Sequence, residues 1–473
     1  MLSLKAAEFV EERVLTERNE NEFDRDQTQS WANTMLGLAR VRENAKKDKD
    51  QSFTSLMHHL TPALLRRSYD RLNRNAATGI DGISWDDYRE ELENRLLDLH
   101  ARIQKGSYKP KAARRVYIAK GGGEQRPLSI QSLEDKIVQQ SVVLLLNEIY
   151  ETDFLGFSYG FRPGRSQHNA LDALAFGINN KKVNWVLDLD LRRFFDTVEH
   201  DWMIKMIQHR VHDKRLVKLI TRWIKVGVVD DDGKRQPAHC GLPQGAVISP
   251  LLSNIYLHYV FDVWSHRWRQ EAKGQVLIVR YADDAVLCFE NKSDANEYLE
   301  RLDPRLSKFG LALHPEKTRL IRFGRHASVQ CAEHREGKPK SFDFLGFTHY
   351  CAKTRKGGFK LGRKTIKKRL INQIKVVQAE LRRRMHDPTG VTLKWLRSVL
   401  TGHMNYYSVP GNYQSVSLFH FEIVRRWFKM LRRRSQRYSI TWDRFGPWAR
   451  RFLPRVRIVH PYPDARFRAR YSK

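Results

Sequence analysis

The chain has 473 residues, 41% hydrophobic and 11% aromatic, with 85 Lys+Arg against 53 Asp+Glu and a formal net charge of +32. That length and apolar content support two or three domains with real cores and exclude a disordered chain. The charge calls for a polyanionic partner: nucleic acid is the simplest, and an anionic membrane is the rival. No run of 18 apolar residues occurs, and the opening residues, rich in Glu and Arg, do not read as a signal peptide, which disfavours the membrane. Cys240, Cys288, Cys331 and Cys351 form no C-x-x-C pair and read as reduced cytosolic thiols.

Residues 1–55 are polar, with acidic and basic residues mixed, and read as a partly ordered leader. From Ser55 to Ile103 the apolar spacing is helical, with Leu60, Leu64 and Leu65 on one face and a turn at Thr78-Gly79-Ile80-Asp81-Gly82. Tyr108 to Ile118 reads as a basic strand ending in Lys120-Gly121-Gly122-Gly123-Glu124, a flexible hairpin tip. Arg126-Pro127-Leu128-Ser129-Ile130 then leads into a long helix that ends near Tyr150.

Val183 to Leu191 alternates, with Val183, Trp185, Leu187, Leu189 and Leu191 on one side and Asp188 and Asp190 on the other. Two apolar segments, Val276–Arg280 and Ala285–Phe289, flank Tyr281-Ala282-Asp283-Asp284 and predict a β-hairpin with acids at its tip. Adjacent carboxylates beside a buried sheet repel one another. Either the turn is an ordinary solvated one, or a divalent cation such as Mg²⁺ takes the carboxylate oxygens and leaves positions for phosphate. In the second case Asp188 or Asp190 joins them, in a two-metal site with ions ~3.5–4 Å apart that drives phosphoryl transfer.

After Gly362 the pattern is mostly helical, broken at Pro388-Thr389-Gly390 and Pro410-Gly411-Asn412, and beyond Ile440 it is less regular. After Tyr350, 31 Lys+Arg oppose 5 Asp+Glu, so +26 of the net charge lies in the last quarter of the chain. Arg425, Arg426, Lys429, Arg432, Arg433 and Arg434 fall within ten residues, with Trp427 and Phe428 between them. The basic groups can neutralise phosphates while the aromatics pack helices or stack on unpaired bases; the alternative is a solvated helical face.

Taken in order, Thr78-Gly79-Ile80-Asp81-Gly82, Arg126-Pro127-Leu128, Gly160-Phe161-Arg162-Pro163-Gly164-Arg165-Ser166, Asp190 through Phe194-Phe195-Asp196, Gly241-Leu242-Pro243-Gln244-Gly245 with Ser249-Pro250-Leu251-Leu252-Ser253-Asn254, Tyr281 to Asp284, His314-Pro315-Glu316-Lys317-Thr318 and Phe344-Leu345-Gly346-Phe347 resemble the reverse transcriptases of bacterial group II introns, which also act as splicing maturases. Leu396 to Tyr407 and Arg457 to Pro463 look like the maturase region of the same family. The paired Cys and H-N-H-type residues of its endonuclease module are not recognisable, so the chain resembles the lineages without that module.

The resemblance implies an α+β right-hand polymerase: a leader over 1–55, fingers and palm over 56–350 with a small antiparallel sheet backed by helices, a helical thumb/maturase region over 351–440, and a basic tail over 441–473 that could bind DNA. It implies an RNA-directed DNA polymerase in the bacterial cytoplasm, associated with the nucleoid. Its partners are an RNA template, intron RNA, a DNA primer or target and dNTPs, and it promotes splicing and retrohoming. Two Mg²⁺ ions, or Mn²⁺ in their place, are held by Asp190, Asp283 and Asp284, which leaves Asp188 out.

Phe195 stands where relatives carry an aromatic beneath the sugar of the incoming nucleotide, a clash with a 2′-hydroxyl; alternatively it is plain core. Gln244 lies against the template–nucleotide pair, with Gly241 and Gly245 allowing close backbone approach. Arg126 reaches the triphosphate with its two-pronged fork, and Lys120 either joins it or is a solvated loop charge. Tyr281 lies near the primer end or in the core, and Lys317 offsets charge in the palm or faces solvent. The Phe344 segment grips the primer or is a small apolar hairpin. Two other readings stay open: a domesticated reverse transcriptase in phage defence or DNA repair, and an RNA-binding maturase without catalysis.

Overall fold

A computed structural model of the protein describes residues 25–119, 125–230, 232–434 and 440–466. Lys120 and the glycine tip lie outside the described residues. In chain order the strands are β1 (Ala113–Ala119), β2 (Gln125–Ile130), β3 (Trp185–Leu189), β4 (Val228–Val229), β5 (Arg235–Gln236), β6 (Val276–Tyr281), β7 (Asp284–Phe289), β8 (Arg319–Arg322), β9 (Phe342–Phe344), β10 (Phe347–Lys353) and β11 (Phe359–Thr365). They form three sheets, ordered β2-β1-β4-β5, β6-β7-β3-β8 and β11-β10-β9.

The sheet β6-β7-β3-β8 is antiparallel throughout. Its strands alternate between two cores. Leu187, Leu189, Ile278, Leu287 and Phe289 face a first core built from the helices Arg25–Lys47, Pro62–Asp70 and Leu133–Asp153. Val186, Val279, Val286, Cys288 and Ile321 face a second, which holds Leu171 and Leu174 of the helix Gln167–Asn180 and Phe342, Phe344 and Phe347 of the third sheet. A strand covered on both faces needs apolar residues at nearly every position. That is why Val276–Val279 and Ala285–Phe289 read as unbroken apolar runs instead of alternating ones.

The motif around Arg162 secures the second core. Ser166 caps the helix Gln167–Asn180 in a reciprocal box with Asn169. Arg162, almost fully buried, donates to Glu151 and to the carbonyls of Leu155 and Ser158. Its donors therefore tie the loop before that helix to the end of Leu133–Asp153.

Two expectations change. The leader's second half is a helix, Arg25–Lys47, whose Leu38, Val41 and Ala45 belong to the first core. Its apolar stripe is thin and diluted by polar residues, so only the long-range contact reveals it. The helical stretch expected after Gly362 starts later, because β11 runs through that residue to Thr365. There Gly362 leaves room for the Tyr350 ring across the strand pair, where a Cβ would come within 2.4 Å of it.

Residue 350 itself lies inside β10, in mid-sheet. Beyond β11 the helices Lys367–Arg383, Thr389–Tyr407, Tyr413–Arg432 and Trp442–Phe452 enclose a third core around Leu396, Ile423, Trp427 and Phe445. Met404 and Tyr407 join the second core and weld the helices to the sheets. No helix among the described residues is long and apolar enough to cross a membrane.

Candidate active site

β6 and β7 are joined by two residues, with Tyr281 opposite Asp284. Ala282 occupies the left-handed region at φ +56, so the chain reverses in the shortest possible loop and leaves Asp283 at the tip and Asp284 at the head of β7. β3 lies beside β7, with Leu189 opposite Ala285. One step further in that antiparallel register puts Asp190 level with Asp284. Asp188, Asp190 and Asp284 then share the sheet face that carries Val186 and Val286.

These carboxylates feel one another. Asp284 is exposed at the head of β7, and desolvation with the negative charges of Asp283, Asp190 and Asp188 pushes its pKa up to about 7. Desolvation and the charge of Asp190 also raise Asp283, against the opposing pull of Arg126 and Arg280.

The two acids of β3 have different partners. Asp188 pairs with Arg319 of β8 at 3.0 Å. Asp190 pairs with Lys317 at 3.3 Å, and its carbonyl accepts the backbone N–H of His314 at 2.8 Å. Lys317 thus faces the carboxylate cluster and not solvent alone. No group of three or more His, Cys, Asp or Glu among the described residues is gathered tightly enough to ligate an ion as it stands. Even so, an oxygen-only set of mutually repelling carboxylates suits a hard divalent cation such as Mg²⁺.

The residues expected to meet the nucleotide lie on segments that bond to one another. Phe194 is buried in the first core, and Phe195, half-buried, packs edge-on against it with ring centroids 5.4 Å apart. The loop Gly241–Gly245 is zipped onto this turn: Gly241 N–H donates to Val198 O at 2.8 Å and Leu242 N–H to Phe195 O at 2.7 Å. Gly241 has φ +84, and a Cβ there would stand 2.8 Å from Phe195 O. Both observations require glycine.

Gln244 is held at both ends. Its Nε2 donates to Asp196 Oδ1 at 3.1 Å, its Oε1 accepts Arg126 Nε at 2.9 Å, and its backbone carbonyl accepts Ser129 N–H at 2.7 Å. Arg126 on β2 is near enough for its charge to act on Asp283. Tyr281, half-buried, packs against the second core with its ring 6.2 Å from that of Phe161. Phe344 and Phe347 flank a two-residue turn, Leu345-Gly346, with φ +46 and +82.

The six basic residues divide. Arg425, Lys429, Arg432 and Arg433 are exposed. Arg426 turns inward to Glu422 and Gln378, and Arg434 to Thr389 and the carbonyl of Arg384. Trp427, fully buried, is core. Sequence reasoning missed Asp196, the partner of Gln244, although it closes the Phe-Phe-Asp string. It also missed Arg280, whose signal was a lone cation ending an apolar strand.

Residues 118–349 match the family described as Reverse transcriptase (RNA-dependent DNA polymerase). The chain is 38% identical over 239 residues to Protein YkfC of Escherichia coli (strain K12), covering 44% of this chain and 62% of that protein. It is 33% identical over 227 residues to the group II intron-encoded protein LtrA of Lactococcus lactis subsp. cremoris, covering 48% of this chain and 37% of that one. To the putative COX1/OXI3 intron 1 protein of Saccharomyces cerevisiae it is 26% identical over 329 residues, or 59% and 39% of the two chains. The chain thus spans less than two thirds of each of these relatives.

Proposed function

We propose that this chain is an RNA-directed DNA polymerase that also binds intron RNA and promotes its splicing and retrohoming; the match of residues 118–349 to the reverse transcriptase family and the likeness to a group II intron-encoded protein support the reading. The observation that carries the reading is the register that sets Asp190 level with Asp284, beside a tip that bears Asp283. In the right-hand description, the sheet β6-β7-β3-β8 is the palm, β1 and β2 belong to the fingers, and the helices from Lys367 onward are thumb and maturase.

Asp190, Asp283 and Asp284 would hold two Mg²⁺ ions, which when bound supply Lewis-acid activation of the primer 3′-oxygen and neutralise charge at the α-phosphate. Everything else is the work of side chains. Arg126, steadied by Gln244, offers its remaining guanidinium edge to the triphosphate. Gln244, pinned by Asp196, presents a fixed wall to the template–nucleotide pair. Phe195 fills the space a 2′-hydroxyl needs. Lys317 tempers the negative field around Asp190, and Tyr281 supports the primer end. Arg425, Lys429, Arg432 and Arg433 take nucleic-acid phosphates.

Primer extension on an RNA template tests the reading. Asp283→Asn keeps side-chain size and removes a ligand charge. It should cut DNA synthesis by more than ~100-fold, beyond what losing a group that merely orients a ligand costs, while RNA binding stays near wild type. Extension at the wild-type rate would falsify the carboxylate assignment.

A further inference from the structure

The turn that presents Asp283 and Asp284 rests on a buried cation. Arg280, the residue before Tyr281, is 1% exposed, and its partner Asp262 is 0% exposed. A guanidinium has five N–H donors, and all five are used. Nε donates to Asp262 Oδ1 at 2.7 Å and one Nη2 donor to Asp262 Oδ2. The other Nη2 donor goes to Ser158 Oγ at 2.7 Å. Nη1 donates to Asn254 Oδ1 at 3.1 Å and to the carbonyl of Ala282 at 2.8 Å.

That last acceptor belongs to the tip residue held at positive φ. Ala282 is closed in from the other side as well. A Cβ on Gly160 would lie 2.2 Å from Ala282 N, and Asn254 Nδ2 holds the Gly160 carbonyl at 2.7 Å. Asn254 therefore links the two halves of the clamp. Asp262 comes from a single π-helical turn, His258–Asp262, in an otherwise α-helical run; such wide turns recur at functional sites.

A buried ion pair is a poor way to gain stability, since apolar residues of similar volume often do as well. A left-handed non-glycine residue is also disfavoured unless its surroundings hold it. What the five-point network does supply is direction. It fixes the carbonyl of Ala282, and hence the peptide that aims Asp283.

We propose that Arg280 is a positioning residue for the polymerase reaction, which it serves by clamping the Ala282 carbonyl through the Asp262–Asn254–Ser158 network so that Asp283 and Asp284 face Asp190. The proposal rests on the assignment of those carboxylates to the reaction. Lysine cannot replace Arg280, because three donors on one nitrogen cannot reach acceptors spread around a planar fork.

The test uses the full chain and compares Arg280→Met/Asp262→Leu, which removes both charges, with Arg280→Lys and Asp283→Asn. Melting and primer–template binding report folding. Amide exchange over 279–285 in metal-free protein reports the turn, and single-turnover extension reports the reaction. The double variant should melt and bind like wild type, exchange at the turn about tenfold faster or more, and extend about 100-fold more slowly, the scale at which an ångström of misplacement acts. Arg280→Lys should fail to restore the rate. A folded double variant with wild-type exchange and rate overturns the proposal. If the double variant does not fold, Asn254→Ala replaces it: faster exchange with slower extension supports the clamp, and wild-type values of both overturn it. Full activity in Asp283→Asn overturns the carboxylate assignment instead, and the exchange result then stands by itself.

Discussion

The central sheet and the helices beyond β11 handle charge in opposite ways. In the sheet, charged groups are few and most have an assigned neighbour: Asp188 with Arg319, Asp190 with Lys317, Arg280 with Asp262. Apolar residues cover both faces, so a misplaced charge there is poorly screened. Beyond β11, 25 Lys+Arg oppose 5 Asp+Glu, and four of the six clustered basic side chains face water. Exposed charges are screened and individually weak. Single residues therefore decide outcomes in the sheet, whereas among the exposed cations of the helices only groups of residues do.

The largest effect should come from the sheet's tip. Gly160→Ala forces a Cβ to within 2.2 Å of Ala282 N, a backbone atom that cannot swing aside as a side chain would. Overpacking of this kind costs about 1–3 kcal/mol, and here it also pushes on the turn that carries Asp283 and Asp284. Melting should fall and primer extension should nearly vanish. An active, stable variant would mean that the tip yields, and the sheet would then be no stricter than the helices.

Next comes sugar choice. Phe194 is core and Phe195 is half-buried beside it, so Phe195→Ala should leave the fold intact. The ratio of rNTP to dNTP incorporation on one template should rise by roughly 10–200-fold, the range that shape-based pockets reach. An unchanged ratio with dNTP activity retained assigns the gate to another residue.

The helical region should respond in increments. Replacing Arg425, Lys429, Arg432 and Arg433 together by Ala should flatten the slope of log K against log salt for single-stranded RNA by up to ~3, at ~0.7 per phosphate contact, with melting unchanged. Arg426→Ala should do the reverse, lowering melting through loss of Glu422 and Gln378 while leaving the slope alone. If Arg426 changes the slope as much as Arg425 does, the split between exposed and inward cations is not functional.

The smallest effect is acid sensitivity in the helical core. His403 is buried and stacks on Phe419 at 3.7 Å, and burial lowers its pKa to about 3. The unfolded chain, near 6.5, takes up its proton first. The stability His403 contributes is therefore complete above pH ~6.5 and is lost as pH falls toward 3, at up to ~1.4 kcal/mol per pH unit. In His403→Phe the drop in melting temperature between pH 7 and pH 5 should shrink. An equal drop in both proteins would place the acid sensitivity in other groups.

Much of this site is legible in one dimension. The acidic hairpin, the shared face of Asp188 and Asp190, the glycines of the Gln244 loop and the long helix into Tyr150 all follow from neighbours in sequence. Side-chain period and turn chemistry are set within a few residues. Tertiary structure alone decided the rest. It chose Arg319 for Asp188 across 131 residues, Lys317 for Asp190 across 127, and Gln244 for Arg126 across 118. It also folded the leader's helix into the first core, laid β10 across residue 350, and turned Arg426 and Arg434 inward from a run that reads as uniformly basic. Local periodicity states which face a residue takes. Which opposite charge or aromatic stands across that face depends on how distant segments pack, because a buried cation settles where its donors are satisfied and not where its neighbours in sequence point.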